Sequence, residues 1–235
     1  VATQEQLTLG AGGFIIVRDA QEAALNLPRT YGVDDIPLAL TSRRFLNPTN
    51  QFSFNQYAEN TGTTSSLDNY GDYILINGTL NPQVSLPKQY VRLRILNAEV
   101  QRGYNLGFSD NRTFYVIGND QGLLAAPVAV TRMFLMVGER VEILVNLSAD
   151  TAAFDLMAYN SGQVFGFPSQ EGPAGGTTPT GNAGPENGSR LNNQDFALLR
   201  INPVTPTSGA VTTLPTSLVP QTYWTAANAT NTRTI

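Results

Sequence analysis

Apolar and polar residues alternate with a period of two along much of the chain. Such alternation predicts β-strands with one buried face, because successive side chains of a strand point to opposite sides of a sheet. The clearest apolar positions are Val91, Leu93 and Ile95, then Val141, Ile143, Val145 and Leu147, then Phe154, Leu156 and Ala158. We expect further strands at residues 13–18, 35–43, 73–77, 103–108, 113–118, 132–137 and 196–202. No stretch has convincing helical periodicity.

Residues typical of tight turns separate these stretches. They include Asn77-Gly78, Asp120-Gln121-Gly122 and Gly138-Glu139, in which Gly and Asn tolerate the left-handed backbone that many turns need. Short strands spaced about 8–12 residues apart are typical of β-sandwiches and Greek-key barrels. The sequence therefore predicts an all-β fold of one of these two kinds.

Two regions lack this alternation. Residues 160–193 are rich in Gly, Pro, Asn and Thr, which predicts a long irregular loop that is either functional or poorly ordered. Residues 203–235 carry repeated prolines, including Pro206, Pro215 and Pro220, and we expect them to form an extended linker that leaves the domain.

Composition excludes several classes of function. The chain has 235 residues, 14% of them charged, and its net charge of −4 gives no basic field to hold nucleic acid. It contains no Cys and no His. Disulfides, Ser-His-Asp catalysis and imidazole-bound copper or zinc are therefore excluded within these residues. No apolar run reaches the roughly 18 residues of a membrane span.

The acidic residues do not predict a catalytic pair. Asp34 and Asp35 are interpreted as a turn that precedes the strand beginning at Ile36, in preference to an acid–base or calcium element. Asp68, Asp72 and Asp120 also lie among turn residues. A glycosidase needs two carboxylates that face one cleft, and the sequence locates no such pair.

The basic and aromatic residues suggest structural roles. Arg92 and Arg94 share one face of a predicted strand, and the acidic net charge favours a Glu or a neighbouring domain as their partner over an anionic ligand. Glu139 and Arg140 follow a tight turn and are expected to pin adjacent loops. Tyr223 and Trp224 could anchor the linker to a partner surface.

Glycines at positions 10, 12 and 13 do not predict a phosphate-binding loop. They precede the apolar run 14–17, whereas a phosphate-binding loop follows a strand and opens a helix.

An ordered run of motifs resembles the three-domain multicopper oxidases, at the exit from the first cupredoxin domain and through the second. The run is Gly10-Ala11-Gly12-Gly13-Phe14-Ile15-Ile16-Val17-Arg18-Asp19, Tyr31-Gly32-Val33-Asp34-Asp35-Ile36-Pro37-Leu38, Gly71-Asp72-Tyr73-Ile74-Leu75-Ile76-Asn77-Gly78, Arg92-Leu93-Arg94-Ile95-Leu96-Asn97-Ala98, Ser109-Asp110-Asn111-Arg112, Gly118-Asn119-Asp120-Gln121-Gly122-Leu123-Leu124 and Gly138-Glu139-Arg140-Val141-Glu142-Ile143-Leu144-Val145. The motifs cover roughly residues 6–160 and are most similar to those of bacterial copper-efflux oxidases and spore-coat laccases. The chain has three Met and no Met-rich insert of the copper-efflux type.

The resemblance implies a cupredoxin-like Greek-key fold and a division of the chain into three parts. Residues 1–12 would be the last segment of a first cupredoxin domain or a linker, residues 13–202 the second domain, and residues 203–235 the link to a third. The family's parent reaction is the oxidation of phenols or metal ions coupled to the reduction of O2 to water. Its copper is bound by histidines of the first and third domains, so the resemblance implies no catalytic, metal or cofactor-binding residue here. The motif residues with an expected structural role are Asn77, Gly78, Arg92, Arg94, Asn97, Asp120, Gly122, Gly138, Glu139 and Arg140.

Two alternatives remain beside this copper-free middle domain. The parent could be a copper-free structural paralogue of the cell-division type, or the chain could be a free-standing β-sandwich binding module. In the leading interpretation the partners are the first and third cupredoxin domains, and open sheet edges predict self-association of the isolated chain. The Thr- and Asn-rich, Lys-poor composition favours a periplasmic or secreted location.

Overall fold

The computed structural model describes residues 6–7, 10–43, 45–47, 50–54, 71, 73–163, 191, 194–223 and 225–231. Asp68, Asp72, Trp224 and most of the 160–193 loop lie outside these ranges. Within them, no helix is both long enough and apolar enough to cross a membrane. A short helix, α1, spans Ala20–Ala24, and a 3-10 turn spans Ala226–Asn228.

Strands account for most of the regular structure, as the alternation predicts. They are β1 (Asp35–Arg43), β2 (Phe45–Asn47), β3 (Asn50–Phe54), β4 (Tyr73–Ile76), β5 (Thr79–Leu80), β6 (Gln83–Pro87), β7 (Tyr90–Asn97), β8 (Tyr104–Phe108), β9 (Phe114–Asn119), β10 (Gly122–Val130), β11 (Met133–Leu135), β12 (Arg140–Asn146), β13 (Phe154–Tyr159) and β14 (Asp195–Val204).

The described strands form two main sheets. One has seven strands in the order β10-β9-β12-β7-β1-β4-β5, and the other has five in the order β11-β8-β13-β14-β6. Strands β2 and β3 form a separate antiparallel pair. Most neighbours are antiparallel, but β1 pairs in parallel with β7 and β14 in parallel with β6. These parallel pairs require crossover connections, which a simple meander would lack.

The main core lies between the two sheets. It is built from the apolar residues of the alternating pattern, including Leu93 and Ile95 of β7, Ile143 and Val145 of β12, and Leu156 of β13, each at most 1% exposed. The residues that alternate with them in sequence therefore have side chains that point away from the core, on the outer faces of the sheets. The predicted all-β sandwich is confirmed.

Tight turns form at the positions where the sequence predicts them. Asn77 and Gly78 have φ of 51° and 77°, and Gly122 and Gly138 have φ of 117° and 79°. Positive φ disfavours most side chains, so Gly or Asn is required at these four positions.

The predicted strand at 13–18 is wrong. Residues 11–19 form no strand, because they pair with no neighbouring strand in the described part of the chain. Their exposure nevertheless alternates, with Phe14 and Ile16 half-buried while Ile15 and Val17 are 96% and 83% exposed. Alternation therefore predicted which of these side chains are exposed but not a strand.

Five of the described strands were not predicted from the sequence, namely β2, β3, β5, β6 and β10. β10 contains three Ala and Pro127, is an edge strand, and shifts its pairing with β9 between Leu123 and Val128. Proline is tolerated on an edge because no partner there needs its missing N–H group. β6 is also an edge strand, and its residues Gln83–Pro87 offer too short a pattern to stand out.

Candidate functional site

Charged side chains form a buried network on the outer face of the seven-stranded sheet. Arg92 and Arg94 of β7 lie between β12 and β1, where Glu142 is directly opposite Arg94 and Asp35 is directly opposite Arg92. Because Leu93 faces the core, its two neighbours on β7 must face outward. The arginines are nevertheless 1% and 7% exposed, so other residues cover this face.

Arg92 binds carboxylates from two different parts of the chain. Its Nη1 donates to Glu22 Oε1 of α1 at 2.7 Å. Its Nε donates to Glu142 Oε2 at 2.8 Å, and its Nη2 donates to the same oxygen. The planar guanidinium suits this double contact because its donors are held in a fixed fork.

Arg94 joins the same Glu142 to Asp35. Its Nη1 donates to Glu142 Oε1 at 2.6 Å, and its Nε and Nη2 donate to the two Asp35 oxygens at 2.7 and 3.1 Å. Burial alone would lower the pKa of Arg94, but its hydrogen bond to Asp35 and the charges of Glu142, Asp35 and Glu22 outweigh burial and raise it. The guanidinium therefore stays charged.

Two further arginines bind the network from the N-terminal side. Arg18 Nη2 donates to Asp35 Oδ2 at 2.6 Å, and Arg29 Nη2 donates to Glu22 Oε2 at 3.0 Å. Helix α1 places Glu22 in its first turn, where the Asp19 side chain accepts a hydrogen bond from the Glu22 N–H group. The network thereby fastens residues 18–35 to the sheet.

The arrangement is suited to holding structure and not to acid–base chemistry. Each of the three carboxylates, Glu22, Asp35 and Glu142, is bound by two arginines, so their oxygens are taken up by contacts within the protein. Burying so many charges is tolerated only because they are paired, and removing one partner would leave another charge buried without compensation.

The sequence predicts part of this network. The stripe of Arg92 and Arg94 follows from strand alternation, and a Glu was one of the two partners that the acidic net charge favoured. Asp34 behaves as the predicted turn residue, since its Oδ1 accepts a hydrogen bond from the Thr30 N–H group at 2.8 Å. Asp35 is not a turn residue. It lies in β1, is fully buried and forms an ion pair with Arg94 of β7. The only sign of this role in the sequence is an acidic residue at the start of a buried strand. Glu22 was missed altogether.

A second group of predicted motif residues lies at the other end of β7. Asn97 is fully buried, and its Nδ2 donates to the carbonyls of Arg102 and Leu135 at 2.9 and 3.0 Å. Its Oδ1 accepts from the Glu99 N–H group at 3.1 Å. The backbone of Asn97 also holds the turn at Gly138. Gly138 N donates to Asn97 O at 2.9 Å, and Asn97 N donates to Glu139 O at 3.0 Å.

Glu139 and Arg140 hold two different loops. Glu139 Oε2 accepts from Met136 N at 2.6 Å, within its own turn. Arg140 contacts the β9–β10 turn, where its N–H group donates to Asp120 Oδ1 at 2.8 Å and its Nη2 to Asp120 O at 3.1 Å. Gly122 closes that turn.

The Asn77-Gly78 turn is tied to β1. Asn77 Oδ1 accepts from Ala39 N at 2.8 Å, and its Nδ2 donates to Pro37 O at 2.9 Å. The structure thus distributes the predicted motif residues among separate turns and one ion-pair network, and it does not bring them together in a cleft.

A buried carboxyl lies near Asn97 in the interior. The Tyr104 hydroxyl donates to Glu99 Oε1 at 2.5 Å. Burial raises the pKa of Glu99, and burial together with the Glu99 charge raises the pKa of Tyr104 well above its ordinary value. Burial also lowers the pKa of nearby Arg43.

The residues of this chain do not fit a copper site. Protein copper is bound mainly by imidazole and by thiolate or thioether sulfur; the chain has neither His nor Cys, and its three Met are the only sulfur ligands it could offer. In the described ranges, no three acidic side chains gather in a way that could hold a metal ion.

Comparison with known proteins gives a family model and curated relatives. The model described as multicopper oxidase matches residues 47–177, which is more than half of the chain. Cell division protein FtsP of Xenorhabdus nematophila is 42% identical over 146 residues, covering 62% of this chain and 29% of that protein. FtsP of Escherichia coli K12 is 40% identical over 146 residues, with the same coverage. The chain thus spans under a third of the length of these relatives.

Solved structures share the fold. A laccase-like multicopper oxidase, CueO, from Ochrobactrum sp. is 26% identical, with a TM-score of 0.63 over 89% of this chain and 39% of that one. A variant of the multicopper oxidase McoA from Aquifex aeolicus has a TM-score of 0.65 over 90% and 41% of the two chains, at 23% identity. These likenesses identify the sandwich as cupredoxin-like. The match to the family model over more than half of its length shows that the chain belongs to the multicopper oxidase family.

Proposed function

We propose that this chain is the copper-free second cupredoxin-like domain of a larger multicopper oxidase, with its flanking segments, and that it holds the neighbouring domains in place. In this proposal the parent oxidises phenols or metal ions and reduces O2 to water, while this chain alone is inactive. Residues 1–12 belong to the preceding domain or its linker and residues 13–202 to this domain, in a periplasmic or secreted protein. Residues 203–235 lead toward a third domain, but their first part stays on this one, since β14 extends to Val204 and Val211, Leu218 and Val219 are hydrogen-bonded to the sheet.

The observation that carries this proposal is the exposure of two apolar side chains, Ile15 and Val17, which we call the outward apolar side of residues 14–17. Ile15 and Val17 are 96% and 83% exposed, while the alternate residues Phe14 and Ile16 are half-buried. Two large aliphatic side chains side by side in water are unfavourable, by about 1.5–3 kcal/mol each relative to a buried position. A preceding domain that covers them explains this exposure.

The ion-pair network supports the same role. It fastens residues 18–35, which directly follow the exposed apolar side, to the outer face of the sheet through Arg92 and Arg94. A domain docked on Ile15 and Val17 would therefore be attached to a rigid base. Placement of neighbouring modules depends on such rigidity.

A second candidate is the copper-free structural paralogue of the cell-division type. It is favoured by one observation, the 40–42% identity to FtsP proteins, against 26% to the Ochrobactrum oxidase. The chain would have the same spacer role in either parent, so the two candidates differ only in the flanking sequence.

Copper analysis tests the proposal and separates these candidates. After incubation with Cu(II) and dialysis, the isolated chain should retain well under one copper per molecule and consume no O2 with a phenol. One tightly bound copper per chain with O2 consumption would contradict the proposal. The full-length protein, treated alike, should bind several copper ions and oxidise phenols or metal ions if its parent is an oxidase. It should do neither if the parent is of the cell-division type.

A further inference from the structure

Two segments far apart in sequence lie on the same outer face of the seven-stranded sheet. We call residues 18–34 the N-terminal segment and residues 205–221 the C-terminal segment. The first precedes β1 and the second follows β14, the strands that begin and end the described sandwich. The exposed Asn26 side chain donates to Thr213 Oγ1 at 3.3 Å, which places the two segments side by side.

Both segments contribute to one hydrophobic cluster outside the main core. The sheet supplies Tyr90, Ile117 and Leu144, whose side chains point away from the sandwich interior. The N-terminal segment adds Leu27, and the C-terminal segment adds Val211 and Leu218; all three are at most 9% exposed. This cluster, the outer cluster, exists only where both segments are in place.

The C-terminal segment is also fixed by hydrogen bonds to the sheet. Leu218 N donates to Ala125 O at 2.8 Å and Val219 N to Leu124 O at 3.2 Å, both on the edge strand β10. Tyr90 N of β7 donates to Val211 O at 2.8 Å. Gln221 Nε2 also donates to Leu123 O at 2.8 Å. The segment predicted to be a linker is therefore packed against the sheet as far as residue 221.

A buried amide connects the two segments by a second route. Gln89 is fully buried just before β7, and its Nε2 donates to Asp34 Oδ2 of the N-terminal segment at 3.0 Å. Its Oε1 accepts from the N–H and hydroxyl groups of Thr207 in the C-terminal segment, at 3.0 and 2.9 Å. If either segment moves away, Gln89 keeps a buried polar atom without its partner, which is costly.

From the outer cluster and the Gln89 bridge we infer that the two segments are energetically coupled, so that loosening one loosens the other. The coupling is reciprocal, as any coupling between two sites must be. It is a property of this chain alone and stands whether or not neighbouring domains are attached. In a larger protein it would link whatever precedes residue 18 to whatever follows residue 221.

Hydrogen exchange under native conditions tests this coupling, because it measures local opening amide by amide. In Leu27→Ala, exchange at the Leu218 and Val219 amides should accelerate about tenfold relative to the amides of β7 and β12, within the roughly 5–150-fold range of such couplings. In Leu218→Ala, the Glu22 and Ala23 amides, which are hydrogen-bonded to Asp19, should accelerate similarly. Leu27→Val and Leu218→Val serve in the same comparison if the alanine variants do not fold.

Leu106→Ala is the matched control. Leu106 is fully buried in the main core on the other sheet. Its truncation should accelerate hydrogen exchange in both segments and in the seven-stranded sheet by the same factor. The inference is overturned if Leu27→Ala accelerates exchange only in residues 18–34 and leaves Leu218 and Val219 as in the parent chain, relative to β7 and β12.

Discussion

Substitution of Arg92 by methionine should lower the free energy of unfolding by about 3–5 kcal/mol, the usual cost of removing one partner from a buried ion pair. Met fills most of the volume of the arginine stem but leaves the Glu22 carboxylate, which is 6% exposed, to rely on the more exposed Arg29. Urea unfolding followed by circular dichroism measures the change.

Arg140→Met is the control for this substitution. Arg140 also pairs with an aspartate, but its side chain is 54% exposed, so the expected loss is below about 1 kcal/mol. Adding Glu22→Leu to Arg92→Met should restore part of the stability, because the stranded carboxylate is removed. Equal effects of Arg92→Met and Arg140→Met would show that the network is not the fastening that we describe.

Substitution of Asn97 by alanine should cost about 3 kcal/mol or more, since three buried backbone groups lose their partner and each such loss costs about 1–3 kcal/mol. The groups are the Arg102 and Leu135 carbonyls and the Glu99 N–H. Thermal and urea unfolding measure the loss.

Two further variants sharpen this prediction. Asn119→Ala removes one hydrogen bond, to the Gln121 N–H group at an exposed turn, and should cost less than about 1 kcal/mol. Asn97→Asp keeps the acceptor but loses the donors to the two carbonyls, so it should be as unstable as Asn97→Ala. If Asn97→Ala left the free energy of unfolding unchanged, this would contradict the assignment of Asn97 as the link among β7, β11 and the 99–102 loop.

Strand alternation in the sequence predicts the sandwich because nearly every core position follows the period of two. It also predicts the outward stripe of Arg92 and Arg94, and the turn chemistry predicts Asn77, Gly78, Gly122 and Gly138. These features are local, so a short window of sequence contains the information.

Long-range partners could not be predicted in the same way. Glu22 is 70 residues from Arg92, and a single acidic residue in a short helix carries no sign of its partner. Proline-rich residues 205–221 read as a departing linker, since Val211 and Leu218 are isolated apolar residues without periodicity. Their burial depends on the outward Tyr90, Ile117 and Leu144, which alternation marks only as facing away from the main core.

Small-angle X-ray scattering of the full-length protein tests most directly whether this domain holds its neighbours in place. Ile15→Ser with Val17→Ser should increase the radius of gyration, since the outward apolar side no longer docks, while the stability of the isolated chain stays unchanged because both side chains are exposed there. Tyr31→Ser with Val128→Ser, at side chains 66% and 50% exposed elsewhere on the surface, should leave the scattering as it was. Identical scattering from the Ile15/Val17 variant and the unaltered protein would contradict the account.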